Sequence, residues 1–221
     1  MDIYDSNKLS GRMNKRMIEK NIQTGGEYKA KVSGDFGEYE ISSVLKSLPD
    51  CYHIMNNILL KTKKGSTQLD HVIVSPFGVF VVETKNHKGM IFGDTMGRVW
   101  TQVLRNGAHN TFYSPVLQNA GHMENLYRHI GLKRELMTGM IVFTNPEADL
   151  RNVNCPFCMR TESLYEAILS YDRQVFTEKQ MYDVIKRIDS VNTSSYLNDR
   201  KHVEYVKSIK ERKERLKNNR K

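Results

Sequence analysis

Three acids and a lysine interrupt apolar stretches of this chain, where such residues are costly. Asp70 lies inside Leu69–Val74, and Glu83 and Lys85 close the stretch that begins at Val79. Both stretches are rich in β-branched residues and read as strands. Between them, Ser75-Pro76-Phe77-Gly78 has serine first, proline second and glycine fourth, the order that suits a type I turn. If Ser75 faces Gly78, Asp70 falls opposite Glu83. Glu83 and Lys85 are two residues apart and so share one face of their strand. Two carboxylates in one hairpin repel each other unless a cation lies between them. Their hard oxygens suit Mg²⁺ or Mn²⁺, and Lys85 can offset the charge and orient a water. The competing reading is a solvated end of a two-stranded ribbon.

Glu38 is the third acid. It precedes Ile41 by three residues and Leu45 by seven, which sets it on the side of a helix that faces the sheet. A carboxylate there is expensive unless it is paired or bound to metal. It also suits a helix N-terminus, where the dipole favours an acid. Gly34 and Gly37 on the same segment allow close approach of another chain or a ligand.

The elements that must position these residues follow from periodicity. Ile41, Val44, Leu45 and Leu48 recur at helical spacing, and Pro49-Asp50 stops the run. Residues 52–61 read as a strand and Gly65 as part of a turn. Beyond the hairpin come a strand at Met90–Gly93, a turn at Asp94–Gly97, and a strand at Val99–Leu104 that carries Trp100. Ser114-Pro115 opens a helix reaching about His129, with proline placed where its missing N–H costs little. Thr138–Phe143 reads as a strand and Asn145-Pro146 as a loop. Residues 161–171 read as a helix capped by Thr161, and Phe176–Ile188 is amphipathic. This order predicts an α/β domain over residues 34–171, a mixed β-sheet flanked by helices. Residues 1–33 are expected to form a flexible or helical N-terminal arm, and residues 172–221 a helical, basic C-terminal extension.

A chain of 221 residues can bury one real core with appendages. No apolar run of about eighteen residues occurs, so no membrane partner is expected. Met1–Ser10 lacks the apolar stretch of a secretory signal, which points to a cytoplasmic location. The net charge is +9, and Lys201–Lys221 alone holds nine Lys/Arg against three Glu. Such a tail suits a polyanion, because phosphate contacts release counterions; it equally suits a solvated helix. Cys51, Cys155 and Cys158 are too few for a disulfide framework. Cys155-Pro156-Phe157-Cys158 is half a zinc knuckle without a second half, so the pair reads as ordinary thiols.

The ordered motifs Gly34-Asp35-Phe36-Gly37-Glu38, Gln68–Gly78 and Val79–Asn86 resemble the nuclease-related domain, NERD. That family is placed in the PD-(D/E)xK, restriction-endonuclease-like superfamily. Gly89–Gly93, Trp100–Gln102, Pro115–Asn119 and then His122 continue the likeness in order, over about residues 34–145. The resemblance implies a restriction-endonuclease-like core. Glu38 then corresponds to the first-helix acid, Asp70 to the metal-ligand aspartate, Glu83 and Lys85 to the Glu-x-Lys pair, and Gln118 to the helix glutamine that borders such sites.

The activity implied is metal-dependent phosphodiester hydrolysis of nucleic acid, with DNA the favoured substrate. Asp70, Glu83 and the backbone carbonyl of Thr84 would hold Mg²⁺ or Mn²⁺, with Glu38 joining directly or through water. Lys85 would position the attacking water. Lys88, Arg98, His122, Lys207, Lys210, Arg212 and Lys213 are the expected nucleic-acid contacts. His71, His87 and His122 are expected at the surface, with His87 or His122 as possible phosphate contacts. The alternative is a non-catalytic nucleic-acid-binding or DNA-processing accessory protein that retains the fold.

Overall fold

The structure is a computed structural model and describes residues 26–63 and 65–194. Helix α1 spans Gly26–Leu45, so it begins upstream of the boundary read at residue 34. It ends in tightened turns, with Ser47 N bonded to Val44 O and Leu48 N to Leu45 O, both at 3.1 Å. Leu48 precedes Pro49, and a residue before proline is driven out of the α region.

Strands β1 (His53–Thr62), β2 (Gly65–Ser75) and β3 (Gly78–Lys85) follow. The chain then forms β4 (Gly89–Asp94), β5 (Val99–Val103) and β6 (His109–Tyr113). Helix α2 (Pro115–Ile130) comes next, then β7 (Met137–Phe143), β8 (Ala148–Asn154) and β9 (Cys158–Arg160). Helices α3 (Thr161–Leu169) and α4 (Glu178–Val191) complete the described chain.

A central mixed sheet runs β1-β2-β3-β7-β9, and a smaller sheet runs β6-β5-β4-β8. The first three strands are antiparallel, whereas β7 is parallel to both β3 and β9. This is the mixed sheet with flanking helices that the sequence predicts. β3 is buried from Gly78 to Glu83. It therefore reads as a continuous apolar run and not as an alternating one. On one face Val72, Val74, Val79 and Val81 pack against Leu126 of α2 and Val184, Ile185 and Ile188 of α4. On the other, Ile73, Phe80 and Val82 meet Ile41 and Leu45 of α1 and Leu164 and Ile168 of α3. The smaller sheet is fastened to β7 by Trp100, which stacks on Phe143 at 6.3 Å between ring centres.

The β2–β3 turn has the expected register, Ser75 opposite Gly78. The Ser75 hydroxyl accepts the Phe77 N–H at 3.1 Å and donates to Gly78 O at 3.2 Å. Helix α2 starts as predicted, with the Ser114 hydroxyl accepting Leu117 N and Pro115 just inside. Thr161 does not cap α3. It is the first helical residue, Arg160 holds the cap position, and the Thr161 hydroxyl lacks a hydrogen-bond partner. Strands β6, β8 and β9 do not stand out in the sequence. Most of their residues are exposed or half-buried, and scattered ones such as Phe112, Ala148, Leu150, Val153 and Cys158 pack into the cluster around Trp100.

Candidate active site

The β2–β3 ladder runs from Ser75–Gly78 to His71–Val82 and stops there. Asp70 is the next residue. It therefore falls one step short of the ladder pairing with Glu83 that the register predicts. Its Oδ2 instead accepts the backbone N–H of Thr84 at 2.9 Å, so a side chain takes over where the main-chain ladder ends. On the other side of β2, Asn57 adopts a positive φ of 56°, and β1–β2 pairing passes from Asn56–His71 to Ile58–Leu69. The strands fork at Asp70.

Burial is the main force on Asp70 and raises its pKa to about 8. Glu83 adds to the rise, the Thr84 N–H opposes it, Glu38 raises it further, and Lys85 lowers it. Asp70, Glu83, Glu38 and Lys85 thus share one electrostatic neighbourhood.

Glu83 is only 2% exposed. Its Oε1 accepts from Lys85 Nζ at 2.6 Å, so the two side chains lie on one strand face, as the spacing predicts. Its Oε2 lies 3.1 Å from His122 Nε2. That is charge-pair distance, but neither atom makes a well-directed hydrogen bond. Burial works against the Glu83 carboxylate, and His122 and Lys85 outweigh it, holding the pKa below the ordinary glutamate value.

Helix α2 supplies the rest of this wall. Lys85 Nζ also donates to Gln118 Oε1 at 3.0 Å. Gln118 and His122 are four residues apart and so share one helix face. The Thr67 hydroxyl lies 2.8 Å from His122 Nδ1 and fixes the ring from behind. Asn119 seats the helix: its Nδ2 donates to Val81 O at 2.9 Å and Met140 O at 3.1 Å, bridging β3 and β7. Gly139 makes this possible. A Cβ there would meet Met123 Sδ at 2.8 Å and Asn119 Nδ2 at 3.1 Å.

Helix α1 reaches the site through Gly37. A Cβ at that position would lie 2.6 Å from Thr144 Oγ1 and 3.4 Å from Thr84 Cγ2. The missing side chain lets the helix rest on the ends of β3 and β7. The half-buried Glu38 is then close enough to influence Asp70.

The predicted residues Glu38, Asp70, Glu83, Lys85 and Gln118 are therefore brought together. Lys88 and Arg98 are exposed in the loops that lead into β4 and β5, and neither enters these contacts. Lys207, Lys210, Arg212 and Lys213 lie outside the described residues, as do the basic tail and most of the N-terminal arm. The expectation of surface histidines is corrected at all three positions. His122 is buried against Glu83. His71 is buried, its Nδ1 2.8 Å from Asn56 Oδ1, and burial lowers its pKa to about 4. His87 is half-buried and stacked on Phe112 at 4.2 Å, and burial and then Lys85 lower its pKa to about 4. Asn119 was not singled out as a site residue, and neither was the His122–Glu83 contact. The spacing of Gln118 and His122 was the signal for the contact.

Among the described residues, no group of three or more His, Cys, Asp or Glu side chains is spaced to hold a metal ion. The cysteines are free, and Cys155 and Cys158 are joined by a turn bond from Cys158 N to Cys155 O at 3.2 Å. No described helix is long and apolar enough to cross a membrane.

Comparison with known proteins matches residues 33–144 to the nuclease-related domain family. An uncharacterized protein of Bacillus anthracis is 29% identical over 183 residues, covering 80% of this chain and 84% of its own. The crystal structure of a protein of unknown function aligns with 79% of this chain and 95% of its own, at 10% identity and a TM-score of 0.36. The family match covers half of the chain and takes in the α1 acid, the forked hairpin and the α2 wall: the protein belongs to the nuclease-related domain (NERD) family.

Proposed function

We propose that this protein is a metal-dependent nuclease, hydrolysing phosphodiester bonds of nucleic acid, DNA foremost, on a restriction-endonuclease-like core. One observation carries this reading. Lys85 is held by both Glu83 and Gln118, at 2.6 and 3.0 Å, beside a second, half-buried acid, Asp70, at the mouth of a strand fork.

The residues present fit a divalent cation. Their donors are hard oxygens, as Mg²⁺ and Mn²⁺ prefer. Asp70 has a pKa of about 8 because burial and two neighbouring acids disfavour its charge, a cost that a cation relieves. Glu83 Oε2 is buried without a directed hydrogen bond. In extended backbone the N–H and C=O of one residue leave the same strand edge. The Thr84 carbonyl therefore leaves on the side where its N–H meets Asp70. Asp70, Glu83 and that carbonyl would hold the ion, with Glu38 joining directly or through water. A divalent ion supplies water activation and neutralises charge on the phosphate oxygens.

The protein's own groups do the remainder. The Lys85 ammonium, oriented by Glu83 and Gln118, donates to the attacking water or to a non-bridging phosphate oxygen as negative charge builds. His122 restrains the second oxygen of Glu83, and Thr67 restrains His122. Asn119 keeps the α2 wall at a fixed height above β3. Incubation with Mg²⁺ or Mn²⁺ and a panel of DNA and RNA substrates tests this reading, with Glu83→Ala as the control for contaminating nuclease. Cleavage by the parent and none by the variant is expected. No cleavage of any substrate by the parent would sink the nuclease and favour the accessory-protein alternative.

A further inference from the structure

The outward face of the smaller sheet has a composition that the hydrolytic site does not use. Along β4, β5 and β6 the side chains alternate. Ile91 and Trp100 point inward and are fully buried. Met90, Phe92, Val99 and Tyr113 point outward and remain 39%, 38%, 63% and 53% exposed. The register makes these a continuous surface. Met90 pairs with Val103, Phe92 with Thr101, Thr101 with Thr111, and Val99 with Tyr113. Two exposed aromatic residues thus sit on one sheet, two strand spacings across and two residues along, roughly 12 Å apart.

Cations bracket this face. Lys88 and Arg105 border a cleft of about 260 Å³ at one end, and the exposed Arg98 precedes Val99 at the other. Lys88 and Arg98 enter none of the ion pairs found among the described residues. Arg105 is 88% exposed and only loosely opposed by Glu147 at 3.7 Å. The acids nearby are engaged. Asp94 accepts the N–H groups of Met96 and Gly97 at 2.7 and 2.6 Å, and Asp149 is paired with Arg151 at 2.6 Å. The edge of the face is tethered to the site: Lys88 is three residues beyond Lys85, within roughly 10 Å of chain.

We infer that this face is a platform for single-stranded nucleic acid, with bases stacked on Phe92 and Tyr113 and the phosphate backbone held by Lys88, Arg98 and Arg105. The inference rests on the nuclease reading and specifies its substrate as an unpaired strand delivered toward Lys85. Exposed aromatic rings on a sheet, with basic residues at its ends, are the arrangement that binds single strands with little regard to sequence. Base stacking contributes the strand preference, and the cations contribute salt-dependent affinity.

The test is binding of fluorescent single-stranded DNA, single-stranded RNA and duplex DNA to the full chain with chelator present, so that no hydrolysis occurs. The parent should bind either single strand more tightly than the duplex, and the DNA and RNA arms tell which sugar is preferred. Phe92→Ala and Tyr113→Ala should each weaken single-strand binding roughly tenfold or more, with an unchanged salt slope and unfolding temperature. Lys88→Gln with Arg98→Gln should lower the slope by about 1.4, roughly 0.7 for each lost phosphate contact on a single strand. Equal affinity for duplex and single strand, indifferent to both aromatic substitutions, overturns the platform. So does a dimer in sedimentation that Phe92→Ala dissolves, since the face would then be covered by a second copy. Because binding is read without metal, absence of hydrolysis would sink the nuclease and leave this outcome readable.

Discussion

Asp70 Oδ2 accepts the Thr84 N–H at 2.9 Å, which ties a predicted metal ligand of β2 to the backbone between Glu83 and Lys85. The same bond holds the strand fork open and keeps the acid among other acids. The fold thus carries an electrostatic load at the place where chemistry is proposed.

That load has a sign that can be measured. The pKa of Asp70 is raised to about 8 from an ordinary 3.8. The folded state therefore favours the protonated acid. The stability this confers is fully present below the ordinary carboxylate range and is lost as pH rises through about 8. Asp70→Asn keeps an oxygen for the Thr84 N–H and removes the ionisation. In metal-free protein it should be more stable than the parent by about 1–3 kcal/mol at pH 8, with the gain vanishing near pH 4. Urea denaturation across this range decides it, and a difference that does not change with pH would contradict the assignment.

Magnesium or manganese should reverse this balance. A cation displaces the Asp70 proton, so its affinity should climb with pH up to about 8 and then level. Ion binding should also raise the unfolding temperature. Calorimetric titration in the presence of a non-hydrolysable nucleic acid is the measurement, because phosphate can complete the ion's shell. Equal, weak binding by the parent and by Asp70→Ala/Glu83→Ala would end the proposal.

Glu83 and Lys85 touch at 2.6 Å but have different assigned roles. Glu83→Ala should lose both ion binding and hydrolysis. Lys85→Ala should still bind the ion while kcat falls about 10²–10³-fold, the usual loss for one electrostatic donor. Gln118→Ala, which frees Lys85 on one side only, should lower kcat about tenfold with KM little changed. Loss of ion binding in Lys85→Ala would show that the lysine supports the fold of the site and not the chemistry.

The approach of α1 depends on one missing methyl. In Gly37→Ala the new Cβ would lie 2.6 Å from Thr144 Oγ1, and stability should fall by about 1–3 kcal/mol. The Thr144 hydroxyl has no hydrogen-bond partner, so Thr144→Ala removes the obstructing atom at little cost. The double variant should recover much of the loss, and a thermal melt of the four proteins completes the cycle. Additive losses would mean that α1 is not seated at this contact.

By itself the sequence determined what short-range rules control. Ser75-Pro76-Phe77-Gly78 specified the hairpin register, because turn chemistry and strand period act over a few residues. Ser114-Pro115 specified the start of α2 in the same way. The acids and Lys85 stood out because they break apolar runs. The tertiary structure decided the rest, because those relations join distant parts of the chain. The fork at Asp70 reflects a ladder that ends when its side chain captures the Thr84 N–H. Strands β6 and β8 are largely polar and depend on the backbone partners that β5 and β4 offer and on the packing of Phe112, Ala148, Leu150 and Val153 around Trp100. His122, which the sequence left at the surface, is buried because Asn119 and Gly139 draw α2 down onto β3 and β7, 38 and 21 residues from their partners on Asn119. No local periodicity encodes that distance; it follows from packing two remote surfaces until their buried polar atoms are satisfied.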